Sequence, residues 1–108
     1  MLGTHVLVMV TAPKREEAER ITRRLLDGNL AACVNIVSGI KSLFWWKGEI
    51  EEADECLLLI KTRLDKMDEL VEVIKQTHSY TVPEIIAIPI IAGNKDYVKW
   101  MDQTIERP

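Results

Sequence analysis

Cysteine, histidine and aromatic residues are scarce in this sequence, and long apolar runs and an excess of positive charge are missing altogether. The 108 residues include two cysteines and two histidines. Two cysteines are too few for a disulfide framework. No apolar run approaches the roughly 18 residues that span a bilayer, so no membrane is expected. Lysine and arginine number 14 against 17 acidic residues, a net charge of −3. That balance argues against a nucleic-acid partner recruited by bulk attraction to phosphate. The short motifs of common metal and nucleophile centres are also missing: C-x-x-C, H-x-x-x-H, H-E-x-x-H, G-x-S-x-G and the phosphate-cradling glycine loop. The paired acids Glu16-Glu17 and Glu51-Glu52 read as solvated charge, and an enzyme is not expected. Met1-Leu2-Gly3-Thr4-His5 lacks the basic start of a signal peptide. The expected location is the cytoplasm.

What is present organises around Ser42–Thr62. Lys47-Gly48 is a two-residue turn candidate preceded by Phe44, Trp45 and Trp46, and Gly48 can supply a positive φ. Upstream, Leu30 to Trp46 is apolar and β-branched, interrupted at Ser38-Gly39, where Gly39 suggests a bend or bulge. Downstream lies Cys56-Leu57-Leu58-Leu59-Ile60. A strand of about 17 residues reaches roughly 55 Å, whereas a compact chain of this size has a radius of gyration near 13 Å, in order of magnitude. Such a hairpin overhangs its own domain, and tryptophans near its tip invite a second copy of the chain. A helix over Glu51–Lys61 is the alternative, since Ile50, Ala53, Leu57 and Ile60 fall near helical spacing. With Trp46 paired to Glu49, Cys56 faces Gly39 and Cys33 faces Thr62, an offset of roughly 20 Å along the strands that forbids a disulfide.

The rest of the chain reads as one domain over residues 1–108. His5–Thr11 is a strand and Lys14–Asp27 a helix, with Ala18, Ile21, Leu25 and Leu26 inward and Gly28 as its cap. Asp65 caps a second helix reaching His78, with Met67, Leu70, Val71 and Ile74 inward. Ile85–Ile91 is a strand confined to a sheet edge or bulge by Pro89. Gly93-Asn94 starts a last helix that carries Val98, Met101 and Ile105 on one face. The order is α+β, a ferredoxin-like β-α-β-β-α-β sandwich followed by a C-terminal helix.

Chemistry concentrates in His78-Ser79-Tyr80-Thr81-Val82-Pro83-Glu84, a loop between helix and strand. His78 is the histidine placed to act as a ligand or proton carrier; Tyr80 adds a hydroxyl and Glu84 a carboxylate. A packed loop capped by its histidine is the competing reading. Lys61 either reaches water at a strand end or meets an anion or the Glu84 carboxylate. Cys33 and Cys56 lie in apolar runs, the setting of inert core thiols.

Five segments together closely resemble the CutA divalent-cation tolerance family: Thr11-Ala12-Pro13, Leu30–Ile36, Trp45–Glu51, Leu59–Thr62 and His78–Ile85, with Tyr97 and Trp100 fitting its terminal helix. The resemblance implies a ferredoxin-like fold assembled as a homotrimer through the long hairpins, with Phe44, Trp45 and Trp46 at the interface and a strand over Glu51–Lys61. The trimer is similar in plan to PII-like proteins, so Lys61, His78, Tyr80 and Glu84 are expected to line a ligand cleft. The ligand would be copper or another divalent cation, or alternatively a small anionic metabolite; a structural trimer that scaffolds a partner protein is the third reading. The family's loop usually reads His-Pro-Tyr, with Ser79 replacing the proline here. Its copper ligands, a cysteine before Thr-Ala-Pro and a His-His pair, fall on Val10, Thr77 and His78. Of these, His78 alone can ligate a metal.

Overall fold

A computed structural model of the protein describes residues 4–106, so the reading of Met1–Gly3 lies outside the described residues. Alternation sets the first strand, β1 (His5–Ala12): Val6, Val8, Val10 and Ala12 are buried while the residues between them are half-exposed. Helix α1 (Arg15–Asp27) follows, burying Ala18, Ile21 and Leu25; Leu26, expected inside, is 40% exposed. Its end departs from the expected glycine cap. Gly28 occupies the cap position, but Asn29 adopts the left-handed conformation, φ 56°. The Asn29 and Leu30 amides donate to the Leu26 and Leu25 carbonyls, closing a Schellman motif with Leu30 packed beside Leu25 in the core. Asn29 Nδ2 also donates to the Thr104 carbonyl at 2.9 Å, tying this corner to the C-terminal helix.

The hairpin is formed by β2 (Cys33–Trp46) and β3 (Glu49–Arg63). Trp46 pairs with Glu49 as expected, and Lys47 and Gly48 both have positive φ, the signature of a type I′ turn whose twist matches the strands. The register slips between Val37 and Ile40, where Ser38 and Gly39 together oppose Cys56. Gly39 takes φ +79° there with open space around it, so backbone conformation rather than crowding selects glycine. Past this bulge Cys33 faces Lys61, one residue from the expected Thr62. Both cysteines are free thiols.

Helix α2 (Met67–Thr77) is entered through a short 3₁₀ turn, Leu64–Lys66. Asp65 does not cap it. Both its carboxylate oxygens are held by the Arg63 guanidinium at 3.0 Å, and no side chain caps the helix. Leu70 and Ile74 are buried, and Met67 and Val73 pack against the core. Strand β4 (Ile85–Pro89) is shorter than expected and ends at the proline. Helix α3 (Lys95–Ile105) is capped by Asn94, whose Oδ1 accepts the Asp96 amide.

The four strands form one antiparallel sheet in the order β2-β3-β1-β4, with β4 at an edge as Pro89 requires. This is the ferredoxin-like order, α+β, with α3 added. Helices α1 and α2 cover one face over Val8, Val10, Leu58 and Ile60. Strand β1 accompanies β3 only as far as Cys56, so Glu49–Glu55 pairs with β2 alone. That overhang lengthens the molecule to 44 Å along one axis, against 26 and 23 Å along the others.

Charge holds α3 to the sheet. Arg63, 13% exposed, contacts Asp65, Asp102 at 3.4 Å and Glu106 at 2.7 Å, while His5 Nε2 meets Asp102 at 2.9 Å. Hydrogen bonding from Arg63 holds Asp65 below its usual carboxylate range. Burial alone would raise Asp102, but the hydrogen bonds and charges of His5 and Arg63 outweigh it and hold Asp102 low as well. Carboxylates lowered in the folded state contribute stability above their unfolded pKa, about 3.9, and lose it as pH falls through the folded value. Urea midpoints should therefore drop steeply below about pH 4, and Asp102→Asn should flatten that drop. Parallel losses in the two proteins would refute this role for Asp102.

Candidate functional site

Two walls enclose the principal cleft. One is the overhanging part of the hairpin, and the other is the Ser79–Glu84 loop, brought against it by the end of α2 and the start of β4. The cleft has a volume of about 820 Å³, within the usual range for small-molecule sites. One face of the hairpin gives it Ser42, Phe44, Trp46, Glu51 and Glu55; Lys41, Leu43 and Glu52, at the alternate positions, reach it as well. Trp45 and its cross-strand partner Ile50 do not, and they are 72% and 61% exposed. The three aromatics expected at one interface therefore serve two surfaces.

His78 anchors the loop from inside. Its side chain has no exposed surface, and both ring nitrogens are occupied. Nδ1 accepts the Tyr80 amide at 3.0 Å, which assigns the proton to Nε2, 2.7 Å from the Thr11 carbonyl. Glu17 Oε2 lies 3.4 Å from Nδ1 and accepts both the amide and the hydroxyl of Ser79. Glu17 is thus a buried acceptor, not the solvated charge expected from its place in an acidic pair. It stands four residues before Ile21, on the inner stripe of α1, and that spacing was the available signal. Ser79 supplies here an N–H that a proline could not.

Tyr80 completes the loop. Its hydroxyl donates to Glu55 Oε2 at 3.0 Å, and its ring lies 4.9 Å from that of His78. Burial first, then the Glu55 carboxylate, push the phenol above its ordinary pKa. Glu55 is 6% exposed although its acidic neighbours on β3 are open to solvent. Nothing in the local sequence distinguishes it; the covering loop does.

The expected cleft set is only half assembled. Tyr80 and Glu84 line the cleft, but His78 lies behind it and Lys61 is elsewhere. Ile60 and Thr62 point to the helices, so Lys61 projects from the opposite sheet face, six strand positions or roughly 20 Å beyond Glu55. There its ammonium bonds Asn35 and lies 3.9 Å from Cys33 Sγ, and of the alternatives for Lys61 the pair with Glu84 does not form. A metal centre at His78 does not fit either. The ring nitrogens are committed, and Val10 and Thr77 offer no ligand of the expected set. Among the described residues, no group of three or more His, Cys, Asp or Glu side chains is arranged to hold a metal ion.

Residues 6–104 match the profile of the family described as CutA1 divalent ion tolerance protein. The chain belongs to the CutA1 family. A divalent-cation tolerance protein CutA from Archaeoglobus fulgidus is 52% identical over 94% of this chain and 99% of its own length. Its solved structure, titled a periplasmic divalent cation tolerance protein, superposes with a TM-score of 0.92 over the same shares. The Thermus thermophilus Cut A1 structure is 45% identical with a TM-score of 0.89, covering 90% of this chain and 94% of that one. A chloroplastic CutA 1 protein of Oryza sativa is 46% identical over 89% of this chain, which spans only 54% of that longer relative. These likenesses establish the CutA1 fold and family, and β3 itself is the strand expected over Glu51–Lys61. Among the described residues, no helix is long and apolar enough to cross a membrane.

The departure at Ser79 gives a direct test. Ser79→Ala keeps the amide donor and should cost about 1 kcal/mol, whereas Ser79→Pro strips both donors from buried Glu17 and should cost about 2–3 kcal/mol. Urea denaturation at fixed protein concentration checks the order, and a proline variant as stable as wild type would contradict it.

Proposed function

We propose that the protein is a homotrimer acting in divalent-cation tolerance by binding rather than by catalysis. The observation that carries the assembly is the Trp45–Ile50 pair, an exposed apolar patch on a part of the hairpin that no other strand of the chain accompanies. Large exposed apolar groups flanked by charge, here Lys47, Glu49 and Glu52, are the usual mark of a protein interface. The number of subunits is carried over from the family resemblance. A cytoplasmic location is part of the same proposal; two free thiols are compatible with it.

Copper or another divalent cation enters this reading only at clefts shared between subunits. A metal needs three or four ligands, and the described residues of one chain do not group that many. Carboxylates from adjoining chains could meet at such clefts, and His78 takes no part.

Native mass spectrometry tests the proposal. Wild-type protein should fly as a trimer, and Trp45→Ala with Ile50→Ala should release monomers. A monomeric wild type would overturn the assembly, and an intact double variant would overturn the patch as its interface. Spectra with added copper(II) or zinc(II) decide the metal question separately. A fixed number of ions per trimer supports shared ligands; none removes direct metal binding from the proposal.

A further inference from the structure

Glu55 is a buried carboxylate without a counter-charge. Its hydrogen bond comes from a neutral donor, the Tyr80 hydroxyl, and among the described residues it forms no ion pair. An ionised carboxylate removed from water is stable only when an opposite charge or a proton offsets the lost hydration. Its second oxygen, Oε1, accepts no hydrogen bond from the described residues, yet it is not sealed inside the protein. Glu55 lines the cleft.

The surroundings repeat the imbalance. Lys41, the cation lining the cleft, is engaged 3.6 Å from Glu52. Glu51, Glu55 and Glu84 remain without a cationic partner among the described residues. The same cleft is lined by three aromatic rings, those of Phe44, Trp46 and Tyr80. Aromatic faces attract cations and cover apolar groups at once. Such walls do not suit a bare metal ion, which needs several lone-pair donors, nor an anion, which the carboxylates repel.

We propose that this cleft binds an organic cation, an ammonium or guanidinium group on an apolar body. The charged head meets Glu55 beneath the Tyr80 hydroxyl, and the body lies against Phe44 and Trp46. Glu84 adds charge at the rim. This reading goes beyond the proposed assembly, and one chain supplies every group it uses. A failed trimer prediction would leave it standing.

The test uses the whole chain at neutral pH, with phenethylammonium as the probe and 2-phenylethanol as its uncharged counterpart. Amide shifts of Glu55 and Tyr80 and the Trp46 indole signal should saturate with the ammonium. The alcohol should bind at least about tenfold more weakly, because it lacks the charge-assisted hydrogen bond. Glu55→Gln, which retains an acceptor for Tyr80, should weaken the ammonium by a similar factor, and Glu84→Gln by less. Equal affinity for amine and alcohol, or no saturation, would overturn the proposal. So would a side-chain carboxyl ¹³C signal showing Glu55 protonated in the free protein. Loss of the oligomer in Glu55→Gln would also overturn it, since a neighbouring chain's lysine or arginine would then be the missing cation. The comparison of the two probes on wild-type protein needs no variant and decides the matter even if Glu55→Gln fails to fold.

Discussion

The pairing of β2 with β3 is the constraint on which the rest of the structure depends. The Lys47-Gly48 turn starts the register at Trp46 opposite Glu49, and every pair down to the bulge follows from that start. The same register sets Trp45 across from Ile50 and Phe44 across from Glu51, the first pair open to solvent and the second lining the cleft. At Ser38-Gly39 the register moves once more, and below that point Leu58, Ile60 and Thr62 reach the helices. Thr62 is fully buried because its hydroxyl donates to the Leu30 carbonyl at 2.7 Å. One hairpin thus supplies a core wall, a cleft wall and an exposed patch.

The loop opposite is set by polar contacts. His78, Glu17, Ser79, Tyr80 and Glu55 form a chain of hydrogen bonds linking α1, the end of α2 and β3. The group expected to take a ligand is instead the anchor. A fully buried ring with both nitrogens engaged fixes a loop well and has nothing left with which to bind a metal. The groups that line the cleft are one layer further out.

Local pattern made much of the fold legible. The continuous apolar run over His5–Thr11, the helical stripe through Ala18, Ile21 and Leu25, the Gly48 turn and the bulge at Gly39 each rest on neighbours in sequence. What remained hidden depended on distant partners. Asp65 reads as a cap until Arg63 takes its carboxylate. Glu55 resembles its exposed neighbours until a loop twenty-five residues away covers it. Lys61 reads as open to water, an anion or Glu84 until Asn35 and Cys33 of β2 engage its ammonium. The cleft was half legible for that reason: Tyr80 and Glu84 came from the loop itself, whereas Glu55 and Phe44 came from across the fold.

The two edges of the sheet are unequal. On one side β4 has five residues and terminates at Pro89, which cannot donate a main-chain hydrogen bond. On the other, β2 presents a long free margin. The short, proline-ended β4 is the poorer template for pairing with another strand, and β2 the better one.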